Sequence, residues 1–149
     1  MLLTHRSGLS NYIYFSEPYC DANNCYNGSI FDNNSVLEIM QNTEPSLYAP
    51  PDKKFEYCNT NYALLASIIE KVSGLSFAKY MEQNIFSPLE MSNTWVCGTK
   101  NDSLCQLKTK GHNSSGIPEK DTYADYVVGD KGIYSTVDDM YKWSQALYS

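Results

Sequence analysis

The sequence lacks the features that mark nucleic-acid-binding and membrane-spanning proteins. It carries 11 Lys and Arg against 17 Asp and Glu, for a net charge of −6, and it contains no basic run. Phosphate binding needs clustered cations, so we expect no nucleic-acid partner. No apolar run approaches the roughly 18 residues of a membrane span, and residues 1–30 lack the apolar core of a signal peptide. If the protein is exported, we expect its signal outside this chain.

The sequence is also poor in metal-binding and cofactor-binding patterns. It has two histidines, His5 and His112, which lie far from any paired cysteine, and it has no Cys-x-x-Cys. We therefore predict neither a zinc site nor a cofactor. It also has no Gly-x-Ser-x-Gly elbow, which argues against a Ser–His–Asp triad built on His5.

What the chain does have is the composition of a globular domain. It is 149 residues long, 42% hydrophobic and 19% charged. A chain of this length buries roughly 68–70% of its unfolded surface. These values exclude disorder and are sufficient for one core.

The five cysteines are an odd number, and two pairs bracket short polar segments. Cys20 and Cys25 enclose CDANNC, and Cys97 and Cys105 enclose CGTKNDSLC. A bridge across either loop would stabilise the fold by roughly 2–3 kcal/mol in the chain-entropy model. Two bridges with a free Cys58 and five reduced cysteines are both compatible with the sequence.

One helix is strongly predicted between Phe55 and Gly74. Apolar residues recur there at helical spacing, and Asn59 or Thr60 is expected to cap the first turn. Tyr57 and Asn59 would stand at the mouth of this helix, where a phenol and a carboxamide are already oriented for chemistry. In a plainer interpretation, Tyr57 only packs and Asn59 only caps. The predicted buried face consists of Leu65, Ile68, Ile69 and Val72.

Local signals outline the rest of the chain. Residues 11–34 have no periodicity and are predicted to form a long loop. A capping box at residues 35–38 predicts a short helix, and a second helix is expected from Ser76 to Pro88. MSNTWVCG predicts a short strand, and residues 122–135 are β-prone and turn-broken. A last helix is expected to begin at Thr136, with a buried face of Met140, Trp143 and Leu147.

Three segments together carry a family resemblance. They are LLTHRSGL (Leu2 to Leu9), the stretch from Phe55 to Thr94, and GIYSTVDDMYKW (Gly132 to Trp143). They resemble the serine β-lactamase and penicillin-binding protein superfamily, and most closely its class C branch, which includes D-alanyl-D-alanine carboxypeptidases and esterases. Residues 11–34 and 98–128 do not contribute to the resemblance.

The resemblance implies a site built from three motifs. Tyr57 and Asn59 match the second, Tyr-x-Asn, whose tyrosine transfers protons and whose asparagine positions the substrate amide. The first, Ser-x-x-Lys, would precede Leu2, and the third, a Lys-Thr-Gly or His-Thr-Gly strand, would follow residue 149. We therefore expect residues 1–149 to be a single partial domain, mainly α with short β pieces. This would be the helical region of an α+β fold, truncated at both ends and inactive alone.

For the parent protein, the resemblance implies acyl transfer in a bacterial periplasm or cell envelope. The substrate would be a lactam, a peptidoglycan-like amide or an ester, processed through an acyl-enzyme. The alternative is a non-catalytic binding or interaction module derived from the same fold. Because a fragment of a larger fold loses the partner that covers its terminal helices, apolar side chains near the two ends would be left exposed and could drive self-association, namely Leu2, Leu3, Met140, Trp143 and Leu147.

Two segments imitate the missing motifs. Ser76 and Lys79 form a literal Ser-x-x-Lys at a helix start, where the two side chains share a face. The resemblance favours a structural role, with Ser76 as the helix cap and Lys79 in solvent. Lys108-Thr109-Lys110-Gly111 is not Lys-Thr-Gly, because Lys110 intervenes.

Overall fold

The computed structural model describes residues 1–25, 30–98, 103–120 and 122–148. Within these residues the fold is mainly helical with short β pieces, as the sequence predicts. The helices are α1 (Ile13–Asn23), α2 (Asn33–Thr43), α3 (Asn59–Ser73), α4 (Phe77–Met81) and α5 (Val137–Ala146). Helix α4 continues into a π-helical turn at Glu82–Phe86, and short 3₁₀ turns occupy Ser103–Leu107 and Tyr123–Tyr126. Strands β1 (Trp95–Val96) and β2 (Ile133–Tyr134) pair antiparallel.

Helix α3 forms as predicted but buries a different face. Its buried residues are Thr60, Asn61, Ala63 and Ala66, whereas Ile68 is 49% and Val72 is 82% exposed. The predicted face is therefore only partly correct, because Leu65 is half-buried and Ile69 packs against the core. Close backbone approach decides the packing, because a Cβ atom at Gly129 would lie only 2.3 Å from the Tyr62 carbonyl oxygen. Small and polar side chains permit that approach, and Ile68 and Val72 turn outward.

The predicted cap of α3 is also wrong. Cys58 occupies the N-cap position, and its side chain makes no capping hydrogen bond. The Thr60 hydroxyl instead accepts the Tyr12 N–H at 2.8 Å and donates to the Ser10 carbonyl at 2.8 Å. The C-terminal end is as predicted, with Gly74 at φ +71°.

Helix α1 lies within residues 11–34, where a long loop was predicted; residues 26–29 of that prediction lie outside the described residues. Only Ser16 and Cys20 are buried along it, and Pro18 lies inside it. An apolar stripe is missing, which explains why the sequence pattern does not reveal this helix. Helix α2 begins three residues before its predicted start, because the Asp32 carboxylate accepts the N–H groups of Asn34 and Ser35.

The core consists of two clusters that meet at α3. The first packs α1, α2 and Val127 together, and the second packs α4, the π-helical turn and β1 under Val128. Asn33 ties them together because its amide nitrogen donates to the carbonyls of Ala63 and Val128, each at 2.9 Å. Its Oδ1 accepts the Val128 N–H at 2.8 Å.

Helix α5 starts at Thr136 as predicted, but its buried face is only partly as expected. Trp143 packs against the second cluster, whereas Met140 is 48% and Leu147 is 65% exposed. The buried residue in the first turn is Asp139. Its carboxylate accepts the Asn93 N–H at 2.7 Å and the Thr94 hydroxyl at 2.9 Å. A polar anchor therefore docks this helix where an apolar stripe was predicted.

The structure contains two disulfide bonds. Cys20 pairs with Cys25 and Cys97 with Cys105, with Cα–Cα distances of 4.8 and 5.2 Å. Cys58 is free and buried. The first bridge links α1 to the turn that follows it, and the second links the residue after β1 to the 3₁₀ turn at Ser103–Leu107.

Candidate active site

Tyr57 and Asn59 lie at the start of α3 with their functional groups available. Tyr57 is 62% exposed, and Asn59 is half-buried. Among the described residues, neither the phenol oxygen nor the carboxamide of Asn59 has a hydrogen-bond partner. The rigid helix that follows fixes the backbone of both residues, so the two groups can meet a ligand without first breaking internal bonds.

His5 contacts the Tyr57–Asn59 turn from several sides. Its Nδ1 accepts the backbone N–H of Cys58 at 3.2 Å and lies 3.3 Å from the amide nitrogen of Asn61. Its carbonyl accepts the Glu56 N–H at 2.9 Å. The imidazole centroid lies 4.6 Å from that of the Tyr57 ring and 5.0 Å from that of Tyr62.

The residues after His5 contact the first turn of α3 and the segment around Ala49. The Ser7 hydroxyl donates to the Asn61 Oδ1 at 2.5 Å, and Asn61 is fully buried. Gly8 adopts φ +79°, where a Cβ atom would lie 2.0 Å from the Ala49 carbonyl oxygen. Only glycine fits this approach. The segment LLTHRSGL is therefore a structural support for the turn.

Arg6 holds the connector before Tyr57, which consists of residues 52–56. The Arg6 guanidinium donates to the Asp52 carboxylate at 2.8 Å, and the Asp52 N–H donates to the Arg6 carbonyl at 2.8 Å. The hydrogen bond and charge of Arg6 hold the pKa of Asp52 below its ordinary value. Both ends of the connector, at Asp52 and Glu56, therefore bond to the N-terminal segment.

The Ser76–Lys79 pair lies away from Tyr57. Tyr57 precedes α3 and Ser76 follows it, and a helix of 15 residues spans roughly 22 Å. The Ser76 hydroxyl accepts the Lys79 N–H at 3.2 Å as a helix cap, and the Lys79 ammonium pairs with Glu82 at 3.2 Å. A cleft of about 580 Å³ borders both residues, but neither Tyr57 nor Asn59 lines it.

A buried polar cluster joins Tyr12, Asp130 and Lys131, and the sequence gives no signal for it. The Tyr12 hydroxyl donates to Asp130 Oδ2 at 3.0 Å and accepts from the Lys131 ammonium at 2.8 Å. Burial raises the pKa of Asp130 although Lys131 opposes the shift, and burial also raises the pKa of Tyr12. The cluster fixes the loop after Val128, which packs on α3.

The described residues offer neither a metal-binding cluster nor a membrane-spanning helix. Among the described residues, no group of three or more His, Cys, Asp and Glu side chains could hold a metal ion. None of the described helices is long and apolar enough to cross a membrane.

Known proteins resemble this chain over nearly its whole length. The sequence model of the Beta-lactamase family matches residues 1–148. Penicillin-binding protein 4* of Bacillus subtilis is 30% identical over 99% of this chain and 34% of its own length. The Beta-lactamase of Escherichia coli is 30% identical over 74% of this chain and 28% of its own length. The chain thus spans about a third of these curated relatives.

Solved structures show the same relationship. The D-amino acid amidase of Ochrobactrum anthropi superposes with a TM-score of 0.74 at 25% identity, covering 99% of this chain and 42% of the amidase. The octameric penicillin-binding protein homologue of Pyrococcus abyssi has a TM-score of 0.69 at 25% identity, covering 97% of this chain and 33% of that chain. The family match, the relatives and the fold all point to one superfamily. The chain therefore belongs to the Beta-lactamase family of the serine β-lactamase and penicillin-binding protein superfamily.

Proposed function

We propose that this chain is the Tyr-x-Asn part of a serine hydrolase that cleaves amide, lactam or ester bonds through an acyl-enzyme. The observation that carries the proposal is that the Tyr57 phenol and the Asn59 carboxamide stand two residues apart at the start of α3, with no hydrogen-bond partner among the described residues. The chain covers a third of its curated relatives, so the activity belongs to the full-length protein.

The chemistry assigns different roles to the two side chains. A tyrosine phenol has a pKa of ~10, so Tyr57 becomes an effective base only beside cations that stabilise the phenolate. The motif lysines of the resemblance would supply these cations. Tyr57 would accept the serine proton as the oxygen adds to the carbonyl carbon and return a proton to the leaving group. Water would then cleave the acyl-serine bond, and Asn59 would hold the substrate amide.

Among amides, we favour derivatives of D-amino acids as substrates. Two relatives that are named for D-amino acid substrates support this choice. The D-aminopeptidase of Brucella canis is 27% identical over 78% of this chain, and the Ochrobactrum amidase shares the fold. The distinction between β-lactam, stem peptide and ester is decided by comparing their turnover in the full-length protein.

We also propose that the protein works outside the cytoplasm of a bacterium. Two disulfide bonds in short polar loops support this location, because such bonds persist in oxidising compartments. Intact mass before and after reduction and alkylation tests the bridges. Five free thiols in protein from an oxidising compartment would contradict the proposal.

Covalent labelling tests the proposed activity. The full-length protein should form an acyl adduct with a fluorescent penicillin or a phosphonate adduct, on a serine in a Ser-x-x-Lys motif outside this chain. This chain alone should form neither. Labelling of Ser76 that disappears in Ser76→Ala would contradict the assignment. An unlabelled full-length protein that retains ligand binding would support a binding module instead.

A further inference from the structure

We propose that His5 is a positioning residue for Tyr57, acting through the acceptor lone pair of its Nδ1 atom. The inference rests on the proposed function, because it assigns a role within the same site. His5 does not belong to the Tyr-x-Asn motif, and we assign it no contact with substrate.

The hydrogen bonds of His5 bracket Tyr57 along the chain. The residue before Tyr57 donates its N–H to the His5 carbonyl at 2.9 Å, and the residue after it donates its N–H to Nδ1 at 3.2 Å. These bonds hold the peptide groups on both sides of Tyr57 in place. His5 therefore restrains, on both sides of Tyr57, the backbone from which the phenol projects.

The hydrogen-bond partners of Nδ1 indicate which ring nitrogen of neutral His5 carries the proton. A backbone N–H can only donate, so the Nδ1 atom facing Cys58 must carry a lone pair. The amide nitrogen of Asn61 also lies 3.3 Å from this Nδ1 atom, and the Asn61 Oδ1 already accepts a hydrogen bond from Ser7. The ring proton of neutral His5 is thus on Nε2.

The imidazole ring also fills the space between two tyrosines. Its centroid is 4.6 Å from the Tyr57 ring, at a tilt of 39°, and 5.0 Å from the Tyr62 ring, at a tilt of 38°. Ring packing could be supplied by any flat side chain, whereas the lone pair could not. The proposal therefore assigns the positioning role to the lone pair.

The backbone conformation of His5 bears on the choice of variants that test this distinction. His5 adopts φ +51°, a left-handed conformation that asparagine tolerates better than most residues. His5→Asn keeps an acceptor oxygen near the position of Nδ1 and removes the ring. His5→Phe keeps a ring and removes the acceptor, leaving the Cys58 N–H without a partner.

The first readout is turnover of the full-length protein on an amide or ester substrate. His5→Phe should lower kcat at least tenfold with little change in KM, because misplacing a proton-transfer group slows the chemical step more than binding. His5→Asn should retain kcat within threefold of the wild-type value. Equal losses in both variants would overturn the assignment to the lone pair.

The second readout needs no activity and uses this chain as it stands. The Cys58 thiol is 2% exposed and lies between Tyr57 and Asn59, so its labelling rate reports opening of the turn. His5→Phe should raise Cys58 labelling at least tenfold after correction for the change in global unfolding, and His5→Asn should not. Peptide mass identifies the labelled cysteine.

The two readouts separate failure of the inference from failure of the proposed function. A wild-type full-length protein without turnover refutes the proposed function, and Cys58 labelling then decides the role of His5. Where turnover exists, a loss of kcat without faster labelling, or faster labelling without a loss of kcat, overturns the proposal.

Discussion

The Ser7 hydroxyl donates to the buried Asn61 Oδ1 at 2.5 Å across 54 residues of sequence. Ser7 Oγ also accepts the Leu9 N–H at 3.1 Å. A side-chain hydrogen bond therefore couples the N-terminal segment to the first turn of α3. This coupling adds to the support that His5 and the Thr60 hydroxyl give to the Tyr57–Asn59 turn.

This coupling should be measurable as a free energy. Ser7→Ala should lower the free energy of unfolding by about 1 kcal/mol. Asn61→Ala should cost more, about 1–3 kcal/mol, because it leaves buried partners unpaired. Denaturant unfolding of the two single variants and the double variant should give a non-zero coupling energy. Ser144→Ala, which removes an exposed hydroxyl bonded to the Tyr141 carbonyl, is the matched control. Fully additive losses would contradict the coupling.

Stability in acid should depend on Asp139. Burial opposes ionisation of its carboxyl group, but hydrogen bonds from Thr94, Asn93 and Lys142 outweigh burial, and the pKa of Asp139 lies below its ordinary value. A carboxyl group with a lowered folded-state pKa stabilises the fold above its unfolded pKa of ~3.9. That stabilisation is lost as the pH falls through the folded-state pKa.

Asp139→Asn tests this dependence directly. The variant should be less stable at neutral pH, and its stability should change less than that of the wild type between about pH 4 and pH 2. Asp138→Asn is the control, because Asp138 is an exposed neighbour in the same helical turn. Parallel stability curves for the wild type and Asp139→Asn would show that Asp139 does not carry the effect.

Self-association of the isolated chain follows from its exposed apolar side chains. Leu3 is 68%, Val72 82% and Leu147 65% exposed. Light scattering over a concentration series should show oligomers of the chain, and Val72→Ser should shift them toward the monomer. Ser73→Ala, next to Val72, adds no polar surface and serves as the control. A monomer at all concentrations would contradict this prediction.

The sequence predicts the elements with strong local signals and misses those fixed by distant contacts. The ends of α3 at Gly74 and the cap of α5 at Thr136 are local and are correct. Helix α1 has too little buried surface to show a periodicity. The buried face of α3 depends on the approach of Gly129, which lies more than fifty residues away and has no local signature.

The candidate site shows the same difference between features with local sequence signals and features set by distant contacts. Tyr57 and Asn59 are readable because they form a short motif at a helix start. The contact of His5 with this turn is not, because it is a hydrogen bond to a backbone group 53 residues further along the chain. The Tyr12–Asp130–Lys131 cluster is likewise assembled from distant segments, and its members look like ordinary surface residues in the sequence.

The central claim is that Tyr57 transfers protons, and turnover of Tyr57→Phe in the full-length protein tests it most directly. The change removes one hydroxyl that makes no hydrogen bond among the described residues, so Tm should not change measurably. General acid–base catalysis predicts a loss of roughly 10²–10⁴ in kcat. Tyr14→Phe, the same change at a side chain that is 77% exposed, should leave kcat unchanged. Normal kcat in Tyr57→Phe would remove Tyr57 from the mechanism and contradict the account.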